Sequence, residues 1–224
     1  MCADGRTAYA GNEHRLADVL RDAAAGRFPP SDGVVEVLAA PSGPVDAVVA
    51  FTAHHLIAAD VDPHWVQGAL EDDDLGAPMR PEFLAQLGRR LGSPAGMLDA
   101  VLTAFGDGRR SDLVEEAPDG DMAHPRLLRA RRYRRNVRSF DDRRGGLLTI
   151  GQGLAGRVEV SIEVDESARG RGHGPALARA ALGLVEPGEP VFAQVSPGNV
   201  ASLRCFLAAG YRPVGAEVLF LRAG

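Results

Sequence analysis

The fold is decided by one stretch, Val164-Asp165-Glu166-Ser167-Ala168-Arg169-Gly170-Arg171-Gly172-His173-Gly174-Pro175-Ala176-Leu177. It follows residues 157–164, in which polar and apolar side chains alternate as they do in a half-buried strand. It leads into residues 175–185, which we expect to form a helix that begins at the proline. The sequence therefore predicts a strand, a glycine-rich turn and a helix in direct succession.

A turn of this kind is suited to binding an anion. Glycine adopts positive φ at little cost and lets a ligand approach the backbone closely. The first N–H groups of the helix have no partner within the helix, so they point outward toward a ligand such as a pyrophosphate. Two alternatives are a purely structural glycine loop and a dinucleotide-binding turn. The dinucleotide fingerprint is Gly-x-Gly-x-x-Gly, whereas Gly170, Gly172 and Gly174 are spaced Gly-x-Gly-x-Gly.

Two blocks of sequence, the glycine turn and residues 199–211, carry a resemblance to a known family. The spacing Arg169-x-x-Gly172-x-Gly174 resembles the pyrophosphate-binding motif of the GNAT superfamily of acyl-CoA-dependent N-acyltransferases. Residues 199–211 resemble a helix that follows this motif in the family. That helix carries an asparagine, then a small residue, then an aromatic residue, and it ends in a glycine followed by an aromatic residue. A plausible strand at residues 190–196 lies between the two blocks. The resemblance covers roughly residues 130–224 and implies a mixed, mostly antiparallel central sheet flanked by helices.

The resemblance also implies a binding site for acetyl-CoA as co-substrate. Backbone groups at the edge of the strand would bind the pantetheine arm, the glycine turn would bind the pyrophosphate, and Asn199 would contact the pantetheine or help to splay two strands. The residues predicted to bind the cofactor are Ile162, Glu163, Val164, Arg169, Gly170, Arg171, Gly172, His173, Gly174, Pro175, Asn199, Ser202 and Phe206.

Two carboxylates are candidates for the general base that an amide-forming reaction requires. Glu159 and Glu163 share the polar face of the strand at residues 157–164, and either one could deprotonate an acceptor amine. The alternative is that both are solvated carboxylates on an exposed face. Gln194 lies where some family members carry a base, and a glutamine cannot serve as one.

The general acid of the family has no counterpart in this chain. Many relatives carry a Tyr at the position of Phe206, which has no proton to give to the leaving thiolate. Cys205 is adjacent, but we expect it to face elsewhere on the helix. Water, Ser196 or an N-terminal residue would then replace the acid, or the thiolate would leave unaided. Two hypotheses follow: an N-acetyltransferase that transfers acetyl directly to a primary amine, and a non-catalytic acyl-CoA-binding or regulatory module.

Charge is distributed unevenly along the chain. No lysine is present, and residues 1–125 carry a net charge of −12 whereas residues 126–224 carry +7. A positive field over the second half would favour coenzyme A. The acidic first half hints at a cationic acceptor, although solubility explains the acidity equally well. An arginine cluster at residues 126–144 contains only two aromatic residues, so it offers no stacking platform and we expect no nucleic-acid partner.

Other classes of function are disfavoured by simple features. No apolar run is long enough to span a bilayer, the first residues lack a secretory pattern, and two isolated cysteines fit a reducing compartment. We therefore expect a soluble, cytoplasmic protein without a membrane partner. His54, His55 and His64 suggest a metal site, but no ligand pattern accompanies them, so we expect a structural role and no metal.

The first half of the chain matches no motif. Helices are predicted at residues 14–26, 63–70 and 81–91, and a hairpin is predicted between residues 34–39 and 45–58; residues 97–105 fit either a strand or a helix. The polar residues 106–124 are the best candidate for a linker. We therefore divide the chain into an N-terminal α/β region, 1–122, and a catalytic core, 123–224. The N-terminal region would complete the fold, cover the acceptor site or form a homodimer surface.

Overall fold

The structure is a computed structural model that describes residues 14–70, 74–109, 111–116 and 124–222. The α-helices in these ranges are α1 (Arg15–Ala24), α2 (Pro63–Ala69), α3 (Pro81–Leu91), α4 (Pro125–Tyr133), α5 (His173–Ala180) and α6 (Val200–Ala208). The strands are β1 (Val35–Leu38), β2 (Val45–Phe51), β3 (His54–Ala58), β4 (Ala95–Phe105), β5 (Val114–Glu115), β6 (Arg135–Asp141), β7 (Gly146–Gln152), β8 (Val158–Val164), β9 (Pro190–Val195) and β10 (Arg212–Leu221).

All of these strands belong to one sheet, whose order is β1-β3-β2-β10-β4-β9-β8-β7-β6-β5. The pairs β1–β3 and β8–β9 are parallel, and the other neighbouring pairs of described strands are antiparallel. The expected mixed, mostly antiparallel sheet flanked by helices is therefore confirmed. Strand β8 lies within one residue of the predicted range, 157–164, because its polar and apolar side chains alternate clearly.

The two halves of the chain share this sheet. Strand β4, from the first half, lies between β9 and β10, from the second half, and pairs with both. Strand β10 also pairs with β2 on its other side. Part of the predicted linker contributes the short strand β5, and residues 110 and 117–123 lie outside the described ranges. The site described below is therefore bounded by strands from both halves.

The predicted hairpin between residues 34–39 and 45–58 is wrong. Residues 45–58 are themselves the hairpin, because the chain reverses at Ala53, which has a φ of +53°, and β2 pairs antiparallel with β3. Strand β1 instead lies parallel to β3 on its outer side. Residues 97–105, which fitted either a strand or a helix, belong to β4, and residues 101–104 are buried between layers on both faces of the sheet.

Helices cover both faces of the sheet. On one face, α1 packs Leu16 and Leu20 against β2 and Phe192 of β9, and Tyr133 of α4 joins the same cluster. On the other face, α5 and α6 pack against β7, β8 and β9, and α2 and α3 pack against β2, β3 and β10. Within the described residues, no helix has the length and apolar character that a bilayer crossing requires. The face under α4 carries most of the polar side chains discussed next.

Candidate active site

A notch opens between β8 and β9. The two parallel strands are in register at only two positions, Val158 with Val191 and Glu159 with Phe192. Beyond these pairs β8 continues to Val164 and β9 continues to Val195, but the two strands no longer pair with each other. The strands therefore diverge toward their carboxyl ends and leave backbone groups of β8 available to a ligand.

The glycine turn follows β8 directly and leads into α5. Gly170 and Gly172 have φ values of +75° and +78°, which L residues adopt only with strain. A Cβ added at either position would meet no atom within 4 Å, so a ligand can approach the backbone there. Gly172 is the N-cap of α5, and no side chain caps the helix. The first amides of α5 are therefore available to an anion.

A cavity of about 610 Å³ lies beside the notch and the glycine turn. It gathers eleven of the thirteen predicted cofactor-binding residues from β8, the turn, α5 and the start of α6. These are Ile162, Glu163, Val164, Arg169, Gly170, Gly172, His173, Gly174, Pro175, Asn199 and Ser202. Arg171 is exposed and does not line the cavity, and Phe206 is buried in the core.

Helices α5 and α6 meet closely at the inner wall of this cavity. A Cβ on Gly174 would lie 2.5 Å from the Sγ atom of Cys205, so Gly174 is required for helix packing. Cys205 lines the cavity, and the expectation that it faces elsewhere is wrong. Phe206 instead packs edge-on against Tyr211, with ring centroids 5.0 Å apart. Burial raises the pKa of the Cys205 thiol, which therefore stays protonated near neutral pH.

Basic side chains surround the large cavity. Arg126 Nε donates a hydrogen bond to Glu163 at 3.0 Å, and Arg169 Nε donates to the carbonyl oxygen of Val164 at 3.2 Å. The Nδ1 atom of His173 is buried without a hydrogen-bond partner in the part of the chain that the structure describes. The uncapped helix, the open glycine positions and these basic groups fit the pyrophosphate of a coenzyme A thioester.

A second, smaller cavity of about 80 Å³ lies under α4, on the face of the sheet that carries Glu159 and Ser161. Arg126 lines both cavities. Ser161 and Gln194 stand at equivalent positions on β8 and β9 just beyond the last paired residues, so this cavity borders the notch. Its other lining residues are Gly96, Met97, Asp99, Arg129, Ala130, Tyr133, Arg134, Glu159 and Leu219.

An ion-pair network is buried beside the small cavity. Arg134 donates to Glu159 at 3.0 Å, and Arg157 donates to Glu159 at 2.8 Å and to Glu217 at 2.6 Å. Glu159 is only 1% exposed, so it does not lie on the solvated face that the alternation suggested. Burial acts to raise the pKa of Glu159, but Arg157 and Arg134 outweigh it and hold the pKa below its usual range. Glu159 is therefore held as an anion by two arginines, whereas Glu163 remains partly exposed.

Asp99 is the residue of this site that sequence reasoning missed. It lies on β4 directly across from Glu217 of β10 and lines the small cavity half-buried. Burial, reinforced by the negative charge of Glu217, raises the pKa of Asp99 to about 6. The sequence does contain a signal for Asp99, because it is an aspartate within an otherwise apolar segment. A carboxylate inside a sheet is costly unless its surroundings stabilise it, so such a position is a candidate functional site.

Two adjacent histidines of the first half, His54 and His55, are buried. His54 is buried and contacts Asp32 at 2.9 Å through Nδ1 and Glu36 at 3.2 Å through Nε2. Burial lowers the pKa of neighbouring His55. Across the ranges that the structure describes, no group of three or more His, Cys, Asp or Glu side chains is arranged to hold a metal ion.

Comparison with known proteins gives a fold similarity. No protein-family model matches the chain, and no curated protein matches it. Among solved structures, the chain is similar to an acetyltransferase from the GNAT family from Colwellia psychrerythraea, with a TM-score of 0.37 and 11% sequence identity. The similarity covers 64% of this chain and 63% of the other chain. The match therefore spans less than two thirds of the length of the Colwellia protein. The assignment of function therefore rests on the site.

Proposed function

We propose that the chain is an acyl-CoA-dependent N-acyltransferase of the GNAT type, with acetyl-CoA as the donor and a primary amine as the acceptor. One juxtaposition carries the proposal: the notch between β8 and β9 opens beside an uncapped helix N-terminus and a glycine turn, and a cavity of about 610 Å³ joins them. A coenzyme A thioester needs both features, because its pantetheine arm hydrogen-bonds like a strand and its pyrophosphate binds backbone amides.

In this assignment the donor lies along β8. Backbone groups of Ile162, Glu163 and Val164 bind the pantetheine arm, and the amides that follow Gly172 bind the pyrophosphate. Arg169 supplies positive charge at the turn. The donor contributes an activated acyl group, and the protein contributes position, because holding the two reactants in the correct geometry removes about 7–11 kcal/mol of the barrier.

The alternative is a non-catalytic acyl-CoA-binding module. It is favoured by the environment of Phe206, which is 3% exposed in the core and carries no hydroxyl. The nearest phenol, Tyr211, is also buried; burial raises its pKa, and its hydroxyl donates to the carbonyl oxygen of Ala178. Neither ring offers a proton to a leaving thiolate.

Calorimetric titration with acetyl-CoA, paired with a thiol-release assay over a panel of amines, separates these functions. The proposed enzyme binds acetyl-CoA and releases free thiol only when an acceptor is present. Binding with no thiol release from any amine would establish the binding module instead. Absence of acetyl-CoA binding at concentrations up to about 1 mM, the upper end of ordinary substrate affinities, would refute both functions.

A further inference from the structure

We propose that the small cavity under α4 is the acceptor site and that it takes an amino carboxylate, with Arg129 binding the carboxylate and Asp99 receiving the proton of the amine. This inference rests on the proposed acyltransferase function for its chemical step. The binding of an amino carboxylate can be measured without the donor.

The position of the cavity is the first argument. The donor cavity and the small cavity both border β8, and Arg126 lines both. Ser161 and Gln194 line the small cavity at the level where β8 and β9 first separate. An acceptor bound there meets a thioester that enters the notch from the donor cavity.

The charges that remain after ion pairing are the second argument. Among the lining residues, Arg134 and Glu159 are paired with each other, and Arg126 is paired with Glu163. Asp99 receives no hydrogen bond from a described residue, and Arg129 has no carboxylate partner among them. One unpaired carboxylate and one unpaired guanidinium therefore face the same cavity, and a zwitterion complements both.

Arg129 is held in a defined orientation. Its guanidinium lies over the ring of Tyr133, with Cζ 4.9 Å from the ring centroid. Stacking of this kind leaves the N–H groups at the edge of the guanidinium free to bind a carboxylate. An acceptor with several positive charges and no carboxylate, such as a polyamine, would instead place a second cation against Arg129.

The size of the cavity sets a limit on the acceptor. A volume of about 80 Å³ admits a small molecule or the end of a larger one. Met97 and Leu219 supply its apolar walls, and Tyr133 adds an aromatic wall. An α- or β-amino acid, or the equivalent end of a larger metabolite, matches this combination of apolar wall and two opposite charges.

The chemical step uses Asp99 as the base. The ammonium group of the bound amino acid first loses one proton to water. The neutral nitrogen then attacks the thioester carbonyl carbon, and the new C–N bond forms as the carbonyl electron pair moves to oxygen. Asp99 accepts a proton from the nitrogen of the tetrahedral intermediate. The carbonyl reforms, the C–S bond breaks with its electron pair on sulfur, and the thiolate takes a proton from water. Asp99 then returns its proton to water, so the products are an amide and free thiol.

Three charged residues act on Asp99 from the elements that surround it. Glu217 of β10 and Glu159 of β8 favour its protonated form, and Arg129 of α4 favours its anionic form. A base with a pKa of about 6 is mostly ionised at neutral pH and still accepts a proton from a cationic tetrahedral nitrogen.

Two variants and one control test the inference. Arg129→Gln should weaken binding of a free amino acid at least about tenfold and should abolish the preference for an amino acid over its amide. Asp99→Asn should lower kcat at least about 100-fold, the ordinary contribution of a general base, and should remove the inflection near pH 6 from the kcat/KM profile. Arg132→Gln, on the exposed part of α4, should change neither property.

The outcomes separate this inference from the proposed function. Acetyl-CoA affinity is measured in every variant and should stay within about twofold of the unmodified protein. Equal use of amino acids and their amides, or an unchanged pH profile in Asp99→Asn, would overturn the inference while leaving the acyltransferase function intact. Should acetyl-CoA fail to bind, calorimetric titration with amino acids still decides the question. Heat from an amino acid that is lost in Arg129→Gln supports the site, and absence of heat from the unmodified protein refutes it.

Discussion

Replacement of Gly172 by leucine tests the proposed pyrophosphate site against a matched control. Gly172 precedes α5 and Gly26 follows α1, and their φ values are +78° and +84°. A Cβ added at either glycine would meet no atom within 4 Å. Both substitutions therefore carry the same backbone strain, about 1–2 kcal/mol for an L residue in this conformation. For a chain of this size that strain lowers Tm by roughly 2–8 °C in each variant.

The two variants should differ in acetyl-CoA affinity. A leucyl side chain at position 172, the N-cap of α5, would occupy the open space that the diphosphate would need. Each hydrogen bond to a charged group contributes about 1.5–3 kcal/mol, so obstruction of two amides costs about 3–6 kcal/mol. That loss weakens affinity at least about 100-fold. Gly26→Leu, at the end of α1, leaves affinity unchanged.

Isothermal titration with acetyl-CoA and thermal unfolding, performed on the same protein preparations, provide the measurement. The result that refutes the reasoning is an affinity of Gly172→Leu within about threefold of the unmodified protein together with an equal Tm loss in both variants. In that case the glycine turn would be structural, and the diphosphate would bind elsewhere.

Three further predictions concern the walls of the site. Gly174→Ala should lower the free energy of unfolding in urea by about 1–3 kcal/mol, because the added methyl group meets Cys205 Sγ. Adding Cys205→Ala to that variant should restore most of the lost stability. A Gly174→Ala variant as stable as the unmodified protein would contradict the packing. Glu217→Gln should cost about 3–5 kcal/mol by removing a buried partner of Arg157, and a loss below about 1 kcal/mol would show that the pair is unimportant. The pKa of Asp99 in the folded protein lies above its ordinary 3.8, so protonated Asp99 stabilises the fold fully below pH 4, and this stabilisation is lost as pH rises through about 6. The free energy of unfolding of Asp99→Asn should lack this decline. Parallel curves of unfolding free energy against pH for the two proteins, from about pH 4 to 7, would argue against the raised pKa.

The cavity beside the glycine turn was predictable because most of its lining residues are close together in sequence. A strand that alternates, a glycine turn and a helix start lie within about 25 residues, and each leaves a local signature. Eleven of thirteen predicted cofactor residues accordingly line one cavity. The misplaced side chains belong to α6, where Cys205 and Phe206 exchange the positions that were expected. A one-residue error in helical phase rotates a side chain by about 100°, and a single sequence does not fix that phase within a short helix.

The environment of Glu159 was not predictable from its strand. The alternation of β8 correctly groups Glu159 with Glu163 on one face of the strand. Alternation does not reveal that α4 and two arginines cover that face near Glu159 and leave it open near Glu163. Burial of a charge depends on partners that are distant in sequence, so two carboxylates four residues apart differ in exposure and in the number of arginines that contact them.

The acceptor half of the site depends on the order of strands, which sequence patterns do not encode. Asp99 faces the notch because β4 inserts between β9 and β10, strands that begin about 90 and 110 residues later in the chain. Residues 100–105 of β4 pair with β9, whereas residues 95–99 run beyond the last paired position of β9 and border the small cavity. In the proposed function the motif-bearing half would supply the donor groove, and the first half would supply the carboxylate that meets the amine. On this proposal, variation in β4 would change acceptor chemistry without disturbing the donor groove, because no β4 residue lines the larger cavity.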